Sequence, residues 1–145
     1  MSRVLVPLDD SPMAQHALEQ ALADYPDADL HLLHVIDFVD AGYAASPDAG
    51  MGGYLDEWEE AARDRADKLF EDATSTAEAA GFAGDVHTTV EIGPPSRTIV
   101  EYAKEHDVDY VVMGCHGRSG VSRVLLGSVA ESVVRRSPCP VLVVR

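Results

Sequence analysis

The feature that most constrains the fold is a regular alternation. Short apolar, β-branched runs take turns with longer stretches of helical periodicity. Residues 3–8, 29–36, 85–92, 109–113 and 140–144 read as five strands, and residues 11–24, 54–80, 96–105 and 127–136 as helices. Alternating units of this kind imply right-handed crossovers onto a parallel sheet. The expected fold is therefore α/β: a single doubly wound, five-stranded parallel sheet with helices on both faces. Ligands in such sheets bind beyond the carboxyl ends of the strands, at the point where the winding reverses. Asp9 and Gly114 both lie there if the first and fourth strands are central neighbours.

Local signals support these boundaries. Ser11-Pro12 reads as an N-cap followed by proline at the first helical position. Ala14, Ala17, Leu18, Ala21 and Leu22 then share one helix face. The span 38–53, with Gly42, Pro47, Gly50, Gly52 and Gly53, reads as a long loop. In the second helix Leu55, Trp58, Ala62, Ala66, Leu69, Ala73 and Ala77 keep the period. Glu59 with Arg63, and Asp64 with Lys68, are spaced for i,i+4 ion pairs. Gly81 is a suitable C-terminal stop.

Composition excludes several function classes. The 145 residues fit one domain, residues 1–145, with no domain-scale linker or repeat. No apolar run approaches the roughly 20 residues of a membrane span. The acidic opening MSRVLVPLDDSP lacks a signal-peptide core, so a cytoplasmic location is expected. The formal net charge is −14, against nucleic-acid or anionic-membrane partners. Aspartate outnumbers glutamate 15 to 10, and Lys68 and Lys104 are the only lysines. That balance suggests adaptation to a high-salt cytoplasm, where self-repulsion is screened over a few ångströms. Cys115 and Cys139 show no metal or disulfide pattern and read as reduced interior thiols. His16, His31, His34, His87 and His106 show no ligand spacing along the chain, so no protein-only metal site is expected.

The chemistry concentrates in Met113-Gly114-Cys115-His116-Gly117, nine further residues, then Gly127-Ser128. Glycines let a backbone approach a ligand. The stretch runs from a buried strand into a helix, whose N-terminus offers N–H groups and partial positive charge to a phosphate. Ser128 and Glu131 fit a capping box, S-x-x-E. Arg118 and Arg123 sit between the glycines, where forked hydrogen bonds would neutralise phosphate charge. A solvated loop is the alternative for both. No GxxxxGK[ST] P-loop is present, and the first strand–helix turn has no dinucleotide fingerprint.

The chain resembles a single-domain universal stress protein of the ATP-binding type. The likeness lies in the opening VLVPLDDS, in HLLHVID, in GPPSRTIVEYAKEHDVDYVVMGCHGRSG and in the closing LLGSVAESVVRRSPCPVLVVR. With the composition, it points to a member from a halophilic archaeon. The resemblance implies a Rossmann-like sheet of the adenine nucleotide alpha hydrolase kind, strand order 3-2-1-4-5. It implies that Asp9 accepts bonds from ribose hydroxyls, with Pro7 and Leu8 as the adjoining wall. Val35 would meet adenine through its backbone, and Met113 and Gly114 would lie against adenine and ribose. Gly117, Gly127, Ser128 and Val129 would hold the phosphates of ATP, AMP or ADP, with Mg2+ or Mn2+ held mainly by those phosphates. Asp10 and Cys115 depart from the commoner family pattern. Asp9 also suits a plain turn role ahead of the helix.

Two further expectations follow. Without a Walker lysine or a convincing general base, the chain reads as a nucleotide-dependent stress-response sensor with at most slow hydrolysis. The alternatives are a nucleotide-free interaction module or an ATP-dependent enzyme. The apolar strand at the chain end, from Pro140 to Val144, is expected to pair antiparallel with its copy in a homodimer.

Overall fold

A computed structural model describes residues 2–37, 51–115 and 126–145, the side chains of 51–55 excepted. In chain order the elements are β1 (Arg3–Pro7), α1 (Pro12–Asp24), β2 (Asp29–Ile36), α2 (Met51–Ala79), β3 (Val86–Ile92), α3 (Pro95–Glu105), β4 (Tyr110–Gly114), α4 (Ser128–Arg136) and β5 (Val141–Val144). The strands form one sheet of order β3-β2-β1-β4-β5 with every neighbouring pair parallel. The expected alternation and strand order are therefore the observed ones. The crossover from β1 runs through α1 to β2 on one side, while β4 joins β1 on the other. The winding reverses between β1 and β4, and a crevice opens beyond their carboxyl ends.

The strands divide their side chains between two cores because successive residues point to opposite faces. Val4, Val6, Leu30, Leu32 and Val112 meet α1 and α2 through Ala14, Leu18, Ala66 and Phe70. Leu5, Leu33, Val111 and Met113 meet α3 and α4 through Ile99, Ala103, Ala130 and Val133. Both faces of the three central strands are covered, which explains why β1, β2 and β4 read as nearly continuous apolar runs, whereas the edge strands β3 and β5 contain no buried residue. Phe70, absent from the expected helix stripe, is 8% exposed and fills the first core beside Ala66 and Ala73.

Several boundaries and pairings differ from expectation. Met51 to Gly53 belong to α2 rather than to a loop. Glycine disfavours a helix by about 1 kcal/mol, but extending an existing helix needs no new nucleus. Positions 38–50 of the expected loop lie outside the described residues. Lys68 pairs with Asp72 at 3.3 Å, not with Asp64, whereas Glu59 and Arg63 pair as expected at 3.1 Å. Gly81 ends α2 with φ +74°: its N–H donates to Glu78 C=O and Phe82 N–H to Ala77 C=O, each at 3.0 Å. Those two bonds are a Schellman closure, which needs a left-handed residue at that position.

The Ser128–Glu131 capping box is not formed. The N-cap is Gly127, with no side-chain cap bond, and Ser128 is the first helical residue. The Glu131 carboxylate is instead held by Arg135 one turn on, at 2.7 Å. Cys115 and Cys139 are free thiols; Cys115 is buried as expected, but Cys139 only half-buried.

Candidate functional site

The crevice is built from strand ends that stop at the same level. β1 ends at Pro7, and Leu8 N–H still donates to Leu33 C=O at 2.8 Å. The chain then turns sharply. Asp9 Oδ1 accepts the Ser11 N–H at 2.8 Å, and Ser11 Oγ accepts the Ala14 N–H at 3.2 Å. Pro12 occupies the first helical turn, as its lack of an N–H allows. Asp9 thus closes an Asx turn that aims the start of α1, the turn role anticipated for it. On β2, His34 Nδ1 donates to the Leu8 carbonyl at 2.8 Å. That bond ties the end of β1 to the residue beside Val35.

β4 carries the other wall. Met113 is buried, and Gly114 lies under α1 so closely that a Cβ there would stand 2.7 Å from Met13 Cβ and 2.9 Å from its carbonyl carbon. Close approach of α1, not a positive φ, is what requires glycine at this position. Cys115 N–H donates to Val144 C=O, and Cys115 C=O accepts the Gly127 N–H, both at 2.8 Å. The Gly127 N–H is therefore engaged within the fold, while Gly127 itself lines the crevice. The first helical bond of α4 is Glu131 N–H to Gly127 C=O, at 3.0 Å. Helix geometry leaves the N–H groups of Ser128, Val129 and Ala130 without intrahelical partners, and all three residues face the crevice.

The crevice is a cavity of about 620 Å³, within the 300–1,000 Å³ range usual for small-molecule sites. Pro7, Leu8, Asp9 and Val35 line it, and so do Met113, Gly114, Gly127, Ser128 and Val129. Four separate stretches of sequence are brought to one cavity. Gly117 and Arg118, expected at the phosphates, lie outside the described residues, as do His116 and Arg123.

One whole wall of the cavity was not legible in the sequence. Trp58, Arg65, Lys68 and Leu69 of α2 also line the cavity. Arg65 and Lys68 are three residues apart and so project from one side of the helix. The signal was present in that spacing, but Lys68 was assigned to an ion pair within the helix. Charge at the lining is mixed: Asp9, Asp10, Asp37 and Asp72 oppose Arg65, Lys68 and the positive end of α4. An anion is favoured at the helix end, and one that brings its own cation suits this lining best.

Solved structures that this chain matches share its fold. The model of the universal stress protein family matches residues 1–145. The chain belongs to the universal stress protein family. Among curated universal stress proteins, MJ0531 of Methanocaldococcus jannaschii is 32% identical over 99% of this chain and 81% of its own length. YxiE of Bacillus subtilis is 33% identical over 99% of both. The solved universal stress protein UspA from Lactobacillus plantarum superposes with TM-score 0.85 at 29% identity, covering 99% and 97% of the two chains. A crystal structure of a universal stress protein in complex with cAMP superposes with TM-score 0.69 at 30% identity, covering 99% and 97%. Among the described residues, no helix of this universal stress protein is long and apolar enough to cross a membrane.

Proposed function

We propose that this universal stress protein binds an adenine nucleotide, with ATP the physiological ligand, and acts as a nucleotide-dependent regulator rather than as a fast enzyme. One observation carries the reading. Asp9, Val35, Gly114 and the open N-terminus of α4 line a single cavity of nucleotide size. The similar universal stress protein solved with cAMP supports adenine as the base. In this reading Val35 meets adenine along its backbone, and Asp9 takes the ribose hydroxyls. The N–H groups of Ser128 and Val129, with that of Ala130, take the phosphates. Mg2+ or Mn2+ travels with the phosphates and offsets the acidic lining, so affinity for ATP falls when the divalent ion is chelated. Arg65 and Lys68 supply the remaining positive charge from α2.

The test is release and identification of any nucleotide that co-purifies, followed by titration of nucleotide-free protein with ATP, ADP, AMP and cAMP. Saturable binding of an adenine nucleotide, and turnover slower than about one per second, support the reading. Faster turnover favours an enzyme.

We also propose a homodimer through β5 and a protein adapted to a high-salt cytoplasm. β5 is an edge strand, and its Leu142 is 42% exposed. An open apolar edge invites a second strand. Sedimentation at micromolar concentration is expected to give twice 15.6 kDa; a 15.6 kDa species alone overturns the dimer.

A further inference from the structure

β2 and β3 are both entered through the same pattern, Asp-x-His: Asp29-Leu30-His31 and Asp85-Val86-His87. The parallel register sets His31 beside His87 and Leu30 beside Val86. Leu30 N–H donates to Asp85 C=O at 2.8 Å, so Asp29 and Asp85 stand side by side at the entry to the two strands. Alternate residues share a face, which places each aspartate with its own histidine. This is the end of the sheet opposite the nucleotide cavity. Asp29 and Val35 are six residues apart along β2, roughly 20 Å of extended chain.

The donor atoms are already gathered. A carboxylate oxygen of Asp29, one of Asp85 and a ring nitrogen of His87 all lie within 4.8 Å of one another. His87 Nε2 is 3.6 Å from Asp29 Oδ1. A tetrahedral ion with bonds near 2.1 Å sets its ligands roughly 3.4 Å apart, so this pair needs little movement. Asp85 is exposed and closes the rest by rotating its own side chain. Among the described residues, neither carboxylate pairs with a lysine or arginine, and the nearest basic ring to Asp29 is that of His87. Two adjacent carboxylates repel each other unless a cation lies between them. His31 stands behind the group instead of joining it. Its Nδ1 is 2.8 Å from the Tyr102 hydroxyl, and its ring centroid is 4.8 Å from that of His87.

We propose that Asp29, Asp85 and His87 form a binding site for a divalent transition-metal ion of the zinc, cobalt or nickel class. The imidazole nitrogen is the discriminating ligand. It suits borderline ions, whereas magnesium and calcium prefer all-oxygen sets. Water completes the coordination, and the bound ion clamps edge strand β3 to β2. Ligand spacing along one segment gave no sign of this site; the register of two strands creates it. It is independent of nucleotide binding.

The experiment uses tag-free, chelator-treated, nucleotide-free protein. Zn2+, Co2+ and Ni2+ are titrated by calorimetry and the Co2+ complex is followed by visible absorption. One ion per chain is expected, with Kd below about 100 µM, together with a rise in Tm, since an ion bound only by the native state stabilises it. His87→Ala and Asp85→Asn are each expected to weaken binding at least about ten-fold, while His16→Ala leaves it unchanged. ATP affinity is expected to be the same in His87→Ala and in the unsubstituted protein. No saturable binding up to about 1 mM overturns the proposal. So does binding that survives His87→Ala, or a Co2+–thiolate absorption band, which would assign the ion to a cysteine.

Discussion

Asp9 has two roles that one substitution can separate. Its Oδ1 holds the Ser11 N–H at 2.8 Å, and its carboxylate faces the cavity. Asn in its place keeps an acceptor for the turn and removes the charge. Asp9→Asn is therefore expected to lower ATP affinity about ten-fold, the worth of one charged hydrogen bond at about 1.5 kcal/mol. Its Tm is expected to stay within a degree or two of the parent. Paired calorimetry and thermal melts check this; an unchanged affinity leaves Asp9 a turn residue only. His31 gives a second residue-scale prediction. Burial, then His87 and His106, pull its pKa below the usual imidazole value, against the pull of Asp29. The unfolded chain takes up this proton as pH falls below about 6.5, while the native state resists it. The contribution of neutral His31 is full above that pH and is lost as pH falls toward the native pKa. Denaturant titrations in chelator at pH 7.5, 6.5 and 5.5 should show the stability gap between the parent and His31→Leu shrinking with acid. A constant gap contradicts this. Asp9 and Ser11 were legible because their bonds span two or three residues. The His34 bond to Leu8 and the committed Gly127 N–H were not, because each joins positions distant in sequence.

At the scale of elements, α1 depends on its cap. Ser11→Ala removes the acceptor for the Ala14 N–H and is expected to cost about 1 kcal/mol. Thermal or urea unfolding measures it, and a loss under about 0.3 kcal/mol shows that the Asx turn and Pro12 suffice. The strands were read to within one residue at each end: in β1, β2 and β4 burial on both faces leaves a nearly continuous apolar signal, and β3, half-buried at best, was marked by its β-branched residues and the glycine and proline turns that flank it. Errors arose where ends depend on partners. Leu8 leaves β1, Pro140 leaves β5, and Ser128 is the first residue of α4 rather than its cap. The wall contributed by α2 was hidden for a related reason. Periodicity placed Trp58 and Leu69 on the packed stripe of the helix, but Arg65 and Lys68 beside that stripe gain a role only when a crevice forms next to them.

At the scale of the molecule, the sheet order follows from alternation plus the central pairing of β1 with β4. That order creates the crevice at one end and, through the β2–β3 register, the aspartate–histidine group at the other. The net charge of −14 makes self-repulsion a whole-molecule term that salt screens. Tm is expected to rise as KCl increases from dilute buffer toward molar concentration; a steady fall contradicts adaptation to high salt. The most decisive measurement remains calorimetric titration of nucleotide-free protein with Mg-ATP. Saturable binding well below about 1 mM, one nucleotide per chain and weakened by Asp9→Asn, is the expected result. No binding up to that concentration would contradict the assignment of the cavity to an adenine nucleotide.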